Sequence, residues 1–149
     1  VGSEMCIRDR AKEKGFDEAV LLNPKGQITE GSRTNIFFVH KGILKTPSLS
    51  SGCLAGITRR AVMEIARLKG IRQICIPALP EELFNSDEAF VTNSVMGIVP
   101  LVALEGRRIG PGRAGRITKV LSRDYRALVR VCPAEFADLK KTLRALRKE

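Results

Sequence analysis

The chain has little that would build a metal centre or an aromatic binding surface: it has no tryptophan, one tyrosine and one histidine. Four cysteines are scattered without a CxxC pair, and the histidine has no cysteine close to it; these residues are Cys6, Cys53, Cys75, Cys132 and His40. Such spacing argues against a zinc site and a disulfide framework and is typical of a reducing cytoplasm. Runs of apolar residues long enough to span a bilayer and an apolar secretory segment are also missing. We therefore expect a cytoplasmic protein with no metal ligands and no contact with a membrane.

Positive charge is in clear excess, with a net charge of +10 that lies mostly in the second half of the chain. A basic surface attracts anions, whether nucleic acid, phosphate or carboxylates. Surfaces for single-stranded nucleic acid usually place aromatic side chains among the basic ones, and Tyr125 and Phe136 are the only aromatic residues after Phe90. The composition therefore favours a small anionic ligand over nucleic acid, with a non-catalytic basic binding module as an alternative.

The hydropathy pattern predicts a single α+β unit. The chain has 149 residues, of which 44% are hydrophobic, enough for one domain with a core. Strands are predicted over residues 18–23, 27–30, 35–40, 43–46, 71–77, 88–92 and 97–104, and helices over residues 57–69, 80–84 and 116–129. Gly15 and Gly70 are predicted to end helices, because glycine accepts the left-handed conformation that follows a last helical turn.

A loop rich in serine, proline and glycine runs into residues 54–59 (LAGITR), where a helix is predicted to begin. A helix start presents unpaired N–H groups and the positive end of the dipole, and so can hold an anion. Gly56 allows the backbone to approach such an anion, and Thr58 offers a hydroxyl donor. An ordinary helix start with Thr58 as its N-cap is the alternative.

Two further polar motifs end predicted strands: Glu30 precedes Gly31-Ser32, and Thr92-Asn93-Ser94 follows the strand at residues 88–92. Each motif alone is typical of a solvated loop. Together, and in this order, the motifs resemble the class IV (fold type IV) pyridoxal-phosphate enzymes, which include branched-chain aminotransferases, D-amino-acid aminotransferases and aminodeoxychorismate lyases. The matching stretches are GFDEAVLLN (15–23), TEGS with NIF (29–37), LAGITR (54–59), EAFVTNS through Pro100 (88–100) and GRITKVLSRDY (115–125).

The resemblance covers residues 11–129 and implies the C-terminal domain of the D-amino-acid aminotransferase-like fold, with a sheet or barrel-like core and flanking helices. It implies that Glu30 pairs with the pyridine nitrogen of pyridoxal 5′-phosphate and keeps it protonated. The other implied contacts are Leu54 against the ring, Gly56, Ile57, Thr58 and Ser94 on the phosphate, and Val95 and Met96 beside the substrate carboxylate. Asn35 is expected to tie the loop after Glu30.

No catalytic residue is expected within this chain. The family's Schiff-base lysine lies on the strand before the helix that ends at Gly15, upstream of Val1, and Lys12 and Lys14 do not match it. Residues 1–10 look like translated adapter sequence, or else a frayed helical N-terminus. We expect residues 11–130 to be the C-terminal cofactor-binding domain, incomplete without the N-terminal domain, and residues 131–149 to add a helix that begins at Pro133. Alone, the chain is expected to be inactive.

Residues 92–100 (TNSVMGIVP) most resemble the aminodeoxychorismate lyases. The resemblance then implies loss of pyruvate from 4-amino-4-deoxychorismate, giving 4-aminobenzoate for folate synthesis. The alternative within the family is a branched-chain or D-amino-acid aminotransferase, which acts on small amino and oxo acids. A homodimer is implied in either case.

Overall fold

The computed structural model describes residues 4–131 and shows an α+β arrangement. The described helices are α1 (Glu4–Glu13), α2 (Ile57–Leu68), α3 (Pro80–Phe84) and α4 (Arg116–Val131). The described strands are β1 (Val20–Leu22), β2 (Ile28–Gly31), β3 (Asn35–His40), β4 (Ile43–Pro47), β5 (Gln73–Ile76), β6 (Glu88–Asn93), β7 (Gly97–Pro100), β8 (Ala103–Leu104) and β9 (Arg107–Arg108). The C-terminal helix predicted from Pro133 onward lies outside the described residues.

A five-stranded mixed sheet in the order β5-β4-β3-β6-β7 forms the centre. Strand β3 (NIFFVH) is almost entirely buried, as expected for a run of β-branched and aromatic residues in a central strand. Its odd-numbered positions, with Phe37 stacked on Phe90 at 5.0 Å, face α2 and α4. Its even-numbered positions pack with Ile28 and Leu83 on the other face. The sheet therefore separates two apolar layers.

Strands β4 and β5 pair in parallel, while the other pairs of this sheet are antiparallel. A parallel pair requires a crossover connection, and α2 supplies it by packing across the sheet. Residues Ala61, Val62, Ile65 and Ala66 form the buried stripe of α2. The crossover places the beginning of α2 beside the ends of β3 and β6 that carry Asn35 and Thr92, since Asn35 contacts the loop before α2.

The helix ends predicted at Gly15 and Gly70 are confirmed. Gly15 has φ +81° and donates to Lys12 O at 2.8 Å, and Gly70 has φ +69°. Both helix ends also have the hydrogen bond across five residues that accompanies a glycine cap, from Phe16 N to Ala11 O and from Ile71 N to Ala66 O. Helix α1 begins at Glu4, so residues 4–10 continue into the helix that Gly15 ends.

The single strand predicted over residues 97–104 is wrong. Strand β7 ends at Pro100, which has no N–H for the ladder, and Leu101 N donates to Ala89 O as the last bond along β6. The chain then leaves the sheet and forms a separate hairpin of β8 and β9, with Glu105 and Gly106 at positive φ in the turn.

Helix α4 is fixed to the sheet through its first turn. The Glu88 carboxylate, on β6, accepts hydrogen bonds from Ile117 N at 3.0 Å, Thr118 N at 2.8 Å and the Thr118 hydroxyl at 2.6 Å. A carboxylate at this place satisfies unpaired N–H groups and opposes the positive end of the dipole. Among residues 4–131, no helix is long and apolar enough to cross a membrane.

Candidate functional site

The N-terminus of α2 has no side-chain cap. Gly56 is the N-cap residue, in an extended conformation, and no side chain accepts a hydrogen bond from the first turn. The first N–H groups of a helix have no partner within the helix, so those of Ile57, Thr58 and Arg59 remain available to an anion. The alternative that Thr58 is the N-cap is wrong, because Thr58 is the second residue of the helix and is only 2% exposed.

Asn35 fixes the loop that leads into α2. Its side-chain amide donates to Leu54 O at 2.8 Å, and its Oδ1 lies so close to Gly56 that an added Cβ would be 2.1 Å away. The expectation that Asn35 ties the loop after Glu30 is therefore wrong. That loop is held by Glu18, which accepts hydrogen bonds from Ser32 N at 3.1 Å and from the Thr34 hydroxyl at 3.1 Å.

Glu30 lies against the same loop. Its Oε2 accepts a hydrogen bond from Leu54 N at 2.9 Å, and within residues 4–131 its Oε1 has no hydrogen-bond partner. The Leu54 side chain is 69% exposed. The structure thus brings Glu30, Leu54 and Gly56 together. Oε2 of Glu30 is bonded to the loop, and Oε1 can accept a hydrogen bond from a ligand.

The turn after β6 is organised by Asn93. Its Oδ1 accepts hydrogen bonds from Val95 N at 3.0 Å and Met96 N at 2.7 Å, while both side chains are exposed. Because these N–H groups are already bonded, a contact of Val95 and Met96 with a substrate would fall on their side chains. Ser94 is exposed in the same turn, so its hydroxyl is accessible to a ligand.

A buried hydroxyl without a partner lies near the start of α2. Thr92 is 1% exposed, and its Oγ1 has no hydrogen-bond partner in the described part of the chain. Thr92 is opposite Asn35 in the antiparallel register of β3 and β6. Side chains of such a pair lie on the same face a few ångströms apart, and Asn35 reaches Gly56. Buried polar atoms are seldom left unpaired, so the Thr92 hydroxyl is available to a polar ligand or a water molecule.

Tyr125 ends the matching stretch at residues 115–125, but the sequence analysis gives it no role in the site. Its hydroxyl lies 3.3 Å from the Thr58 hydroxyl, and its side chain is 7% exposed. The apolar spacing of Ile117, Leu121 and Leu128 in α4 is the signal that could have found it, since that spacing places Tyr125 on the buried face of the helix.

Arg59 adds positive charge beneath the start of α2. Its side chain is buried and donates to Pro47 O at 3.1 Å, and within the described part of the chain it forms no ion pair with a carboxylate. Burial raises the pKa of the neighbouring Cys53 thiol, although Arg59 acts in the opposite direction. The thiol therefore stays neutral at pH 7 and does not offset the charge of Arg59.

These observations describe a site suited to a phosphate group. The uncapped start of α2 carries the Thr58 hydroxyl, which lies beside that of Tyr125, and the buried side chain of Arg59 adds a positive charge. The carboxylate of Glu30 contacts the loop just before this helix start, at Leu54 N. A ligand with an anionic end and a protonated ring nitrogen matches this arrangement of charge. No group of three histidine, cysteine, aspartate or glutamate residues that could hold a metal ion occurs within residues 4–131.

Comparison with known families identifies the protein class. The model of the amino-transferase class IV family matches residues 3–104, so the chain belongs to this family. The putative branched-chain-amino-acid aminotransferase of Methanocaldococcus jannaschii is 39% identical over 124 residues, which are 83% of this chain and 43% of that protein.

Solved structures of the same class share the fold. The branched-chain aminotransferase of Thermoproteus uzoniensis with norvaline matches with a TM-score of 0.81 and 38% identity, over 85% of this chain and 41% of that one. The enzyme of Thermobaculum terrenum in its pyridoxal-phosphate form matches with a TM-score of 0.81 and 34% identity, over 85% and 41% of the two chains. The fold-type IV prediction is confirmed, and the chain spans less than half the length of these relatives.

The comparisons do not support the lyase prediction. The relatives and solved structures described above are branched-chain aminotransferases, which the sequence analysis held as the alternative. The lyase prediction relied on the single stretch at residues 92–100, whereas the similarity to aminotransferases extends over 85% of the chain.

Proposed function

We propose that residues 11–130 form the cofactor-binding domain of a pyridoxal-phosphate-dependent aminotransferase that acts on branched-chain amino acids. The observation that carries this proposal is the placement of Glu30 and the uncapped start of α2 on either side of residues 54–56, with Leu54 N bonded to Glu30. The similarity to branched-chain aminotransferases supports the choice of substrate.

The residues of this chain would bind the cofactor at its two ends. The N–H groups of Ile57 and Thr58 and the hydroxyls of Thr58 and Ser94 would hold the phosphate, as the charge of a helix start favours. Through Oε1, Glu30 would accept a hydrogen bond from the protonated ring nitrogen and so keep that nitrogen protonated. Pyridoxal phosphate, when bound, supplies a ring that accepts negative charge from the substrate's α-carbon.

Leu54 and the turn at residues 94–96 would shape the substrate side of the site. The exposed Leu54 side chain offers an apolar surface for a flat ring, and the exposed Val95 and Met96 side chains offer one for a branched aliphatic group. Each methylene of the substrate side chain that is buried against these residues would favour binding by about 0.8 kcal/mol. A homodimer is part of this proposal, as the family resemblance implies.

The test is a transamination assay on the protein expressed from its complete coding sequence. L-Leucine and 2-oxoglutarate should yield glutamate only when pyridoxal phosphate is present. We expect Glu30→Gln to lower kcat by about 10²–10³-fold, the usual cost of losing one preorganised charge at a reacting centre. The control is Glu13→Gln, a similar change at an exposed position of α1, which should leave kcat unchanged.

The same protein is then assayed for release of pyruvate from 4-amino-4-deoxychorismate without an amino acceptor. Pyruvate release in the absence of 2-oxoglutarate would replace the aminotransferase proposal with the lyase. A protein that binds pyridoxal phosphate but forms neither product would contradict both activities.

A further inference from the structure

Within residues 4–131, the hydroxyl of Thr58 has one hydrogen-bond partner, the hydroxyl of Tyr125 at 3.3 Å. This contact joins α2 to α4 across 67 positions in the sequence. Both side chains are buried, so water does not compete for the bond. In the absence of a ligand, either hydroxyl can be the donor.

We propose that Tyr125 is a positioning residue that orients the Thr58 hydroxyl toward the cofactor phosphate. This inference rests on the proposed function, because it needs a phosphate at the start of α2. A threonine hydroxyl has one proton to donate and two lone pairs to accept with. When Thr58 donates to a phosphate oxygen, it can only accept from Tyr125. The direction of both hydrogen bonds is therefore fixed: Tyr125 donates to Thr58, and Thr58 donates to the phosphate.

The Tyr125 ring is held in place by the turn that carries Ser94. Gly97 has φ +69°, and a Cβ at this position would lie 3.1 Å from Cε1 of Tyr125. Glycine thus permits both the left-handed turn and the close contact with the ring. Because Gly97 follows residues 94–96 directly, Tyr125 lies against this turn with its ring and contacts Thr58 with its hydroxyl.

Helix α4 provides a rigid base for this ring. Its first turn is held by three hydrogen bonds to Glu88, and Tyr125 packs in the same apolar layer as Phe90 and Leu121. The Tyr125 hydroxyl is therefore held in a fixed position, and a donor in a fixed position can orient the Thr58 hydroxyl.

The alternative is that Tyr125 only fills the core. Tyr125→Phe separates the two, since it removes the hydroxyl and keeps the ring. The probes are pyridoxamine 5′-phosphate and, as the matched ligand without phosphate, pyridoxamine. Dissociation constants are measured by calorimetry on the protein from its complete coding sequence, for wild type, Tyr125→Phe, Thr58→Val and the double variant. The thermal unfolding midpoint without ligand reports the structural effect separately.

We expect Tyr125→Phe to weaken pyridoxamine 5′-phosphate binding about threefold to tenfold, the effect of one neutral hydrogen bond. Pyridoxamine binding should not change. In the Thr58→Val background, Tyr125→Phe should have no further effect on the phosphate ligand, because the residue it acts through is gone. Tyr125→Met, which also removes the hydroxyl but keeps an apolar side chain in the buried layer, should give the same phosphate-specific loss and serves as a second variant if Tyr125→Phe does not fold.

Three results would overturn the inference: equal binding by wild type and Tyr125→Phe, an equal loss for both ligands, or a loss that persists in the Thr58→Val background. The proposed function fails by a different result. In that case wild-type protein binds pyridoxamine 5′-phosphate no more tightly than pyridoxamine.

Discussion

At the scale of single residues, the start of α2 depends on contacts that Asn35 and Glu30 make with residues 54–56. Asn35 holds Leu54 O with its amide and presses its Oδ1 against Gly56, while Glu30 holds Leu54 N. The N–H and the C=O of Leu54 are thus hydrogen-bonded to side chains of strands β2 and β3. The loop is therefore fixed by polar contacts, although its own side chains at residues 54 and 55 are exposed.

Gly56→Ala should destabilise the protein, because the new Cβ would lie 2.1 Å from Asn35 Oδ1. Overpacking of this kind costs about 1–3 kcal/mol, measurable as a lower urea midpoint. Ala55→Ser, which adds one atom at the exposed neighbour, is the control and should shift the midpoint little. In an Asn35→Ala background the cost of Gly56→Ala should shrink. An undiminished cost there would mean that the strain lies elsewhere.

The motifs identified the residue types of this site but not their partners. Glu30, Gly56 and Thr58 could be singled out because a carboxylate at a strand end and a glycine at a helix start are local patterns. The partner of Thr58 is Tyr125, 67 positions away, and no local pattern encodes that distance. Asn35 was assigned to the wrong loop for the same reason.

At the scale of secondary-structure elements, α2 and α4 are joined by an ion pair outside the apolar layer. Lys69, just after α2, lies 2.8 Å from Asp124 on α4, and Arg123 lies 2.9 Å from the same carboxylate. Burial by itself would raise the pKa of Asp124, but the hydrogen bonds from Lys69 and Arg123 outweigh it and lower the pKa.

Asp124→Asn should therefore remove a contribution to stability that depends on pH. A carboxyl whose pKa is lowered by folding stabilises the folded state above its ordinary pKa of 3.8, and the effect is lost as the pH falls through the lower folded value. Because Lys69 is half exposed, we expect about 0.2–1 kcal/mol at pH 7.

Denaturant unfolding of wild type and Asp124→Asn from pH 7 to pH 2.5 measures this difference. The free energies of unfolding should differ by a constant amount at neutral pH and converge below the ordinary pKa of 3.8. Asp17→Asn, at an exposed position, is the matched control. A difference that persists unchanged to the lowest pH would rule out the ion pair as its cause.

The predicted ends of helices agree with the structure where a glycine or a proline marks them. Gly15 and Gly70 end helices as predicted, and Pro80 begins α3 as predicted. The split after Pro100 was missed, because residues 97–104 remain apolar enough to look like one strand. The position at which the chain leaves the sheet after β7 depends on the neighbouring strand β6, to which Leu101 N still donates a hydrogen bond at Ala89 O.

At the scale of the whole molecule, the net charge of +10 is accompanied by few aromatic side chains on which bases could stack: among residues 4–131, Phe16 is exposed but Tyr125 is buried. Tyr125 is buried, so it cannot serve as a stacking platform beside the basic side chains of α4. Phe84, near Arg107 at 4.7 Å, has its ring covered by the guanidinium. The basic side chains of α4 can therefore attract nucleic acid by charge, without a neighbouring aromatic side chain of that helix on which bases could stack.

We expect binding to an oligonucleotide duplex to be weak, independent of sequence and strongly reduced by salt. Non-specific dissociation constants are about 10⁻⁴–10⁻⁶ M at physiological salt. Fluorescence anisotropy between 50 and 200 mM salt measures this, and Arg126→Glu on the exposed face of α4 should reduce the salt slope. Sub-micromolar binding at 150 mM salt with a preference among sequences would instead favour the non-catalytic basic module.

The position of β3 in the sheet also affects how the chain is synthesised. Strand β3 is the middle of the five strands, yet β6, which covers one of its edges, is made much later. A nascent chain forms the β3–β4 hairpin early and leaves the other edge of an apolar strand, NIFFVH, without a partner. Unpaired apolar edges associate with other chains. The order of the strands along the chain therefore sets how long this edge stays open to aggregation on the ribosome.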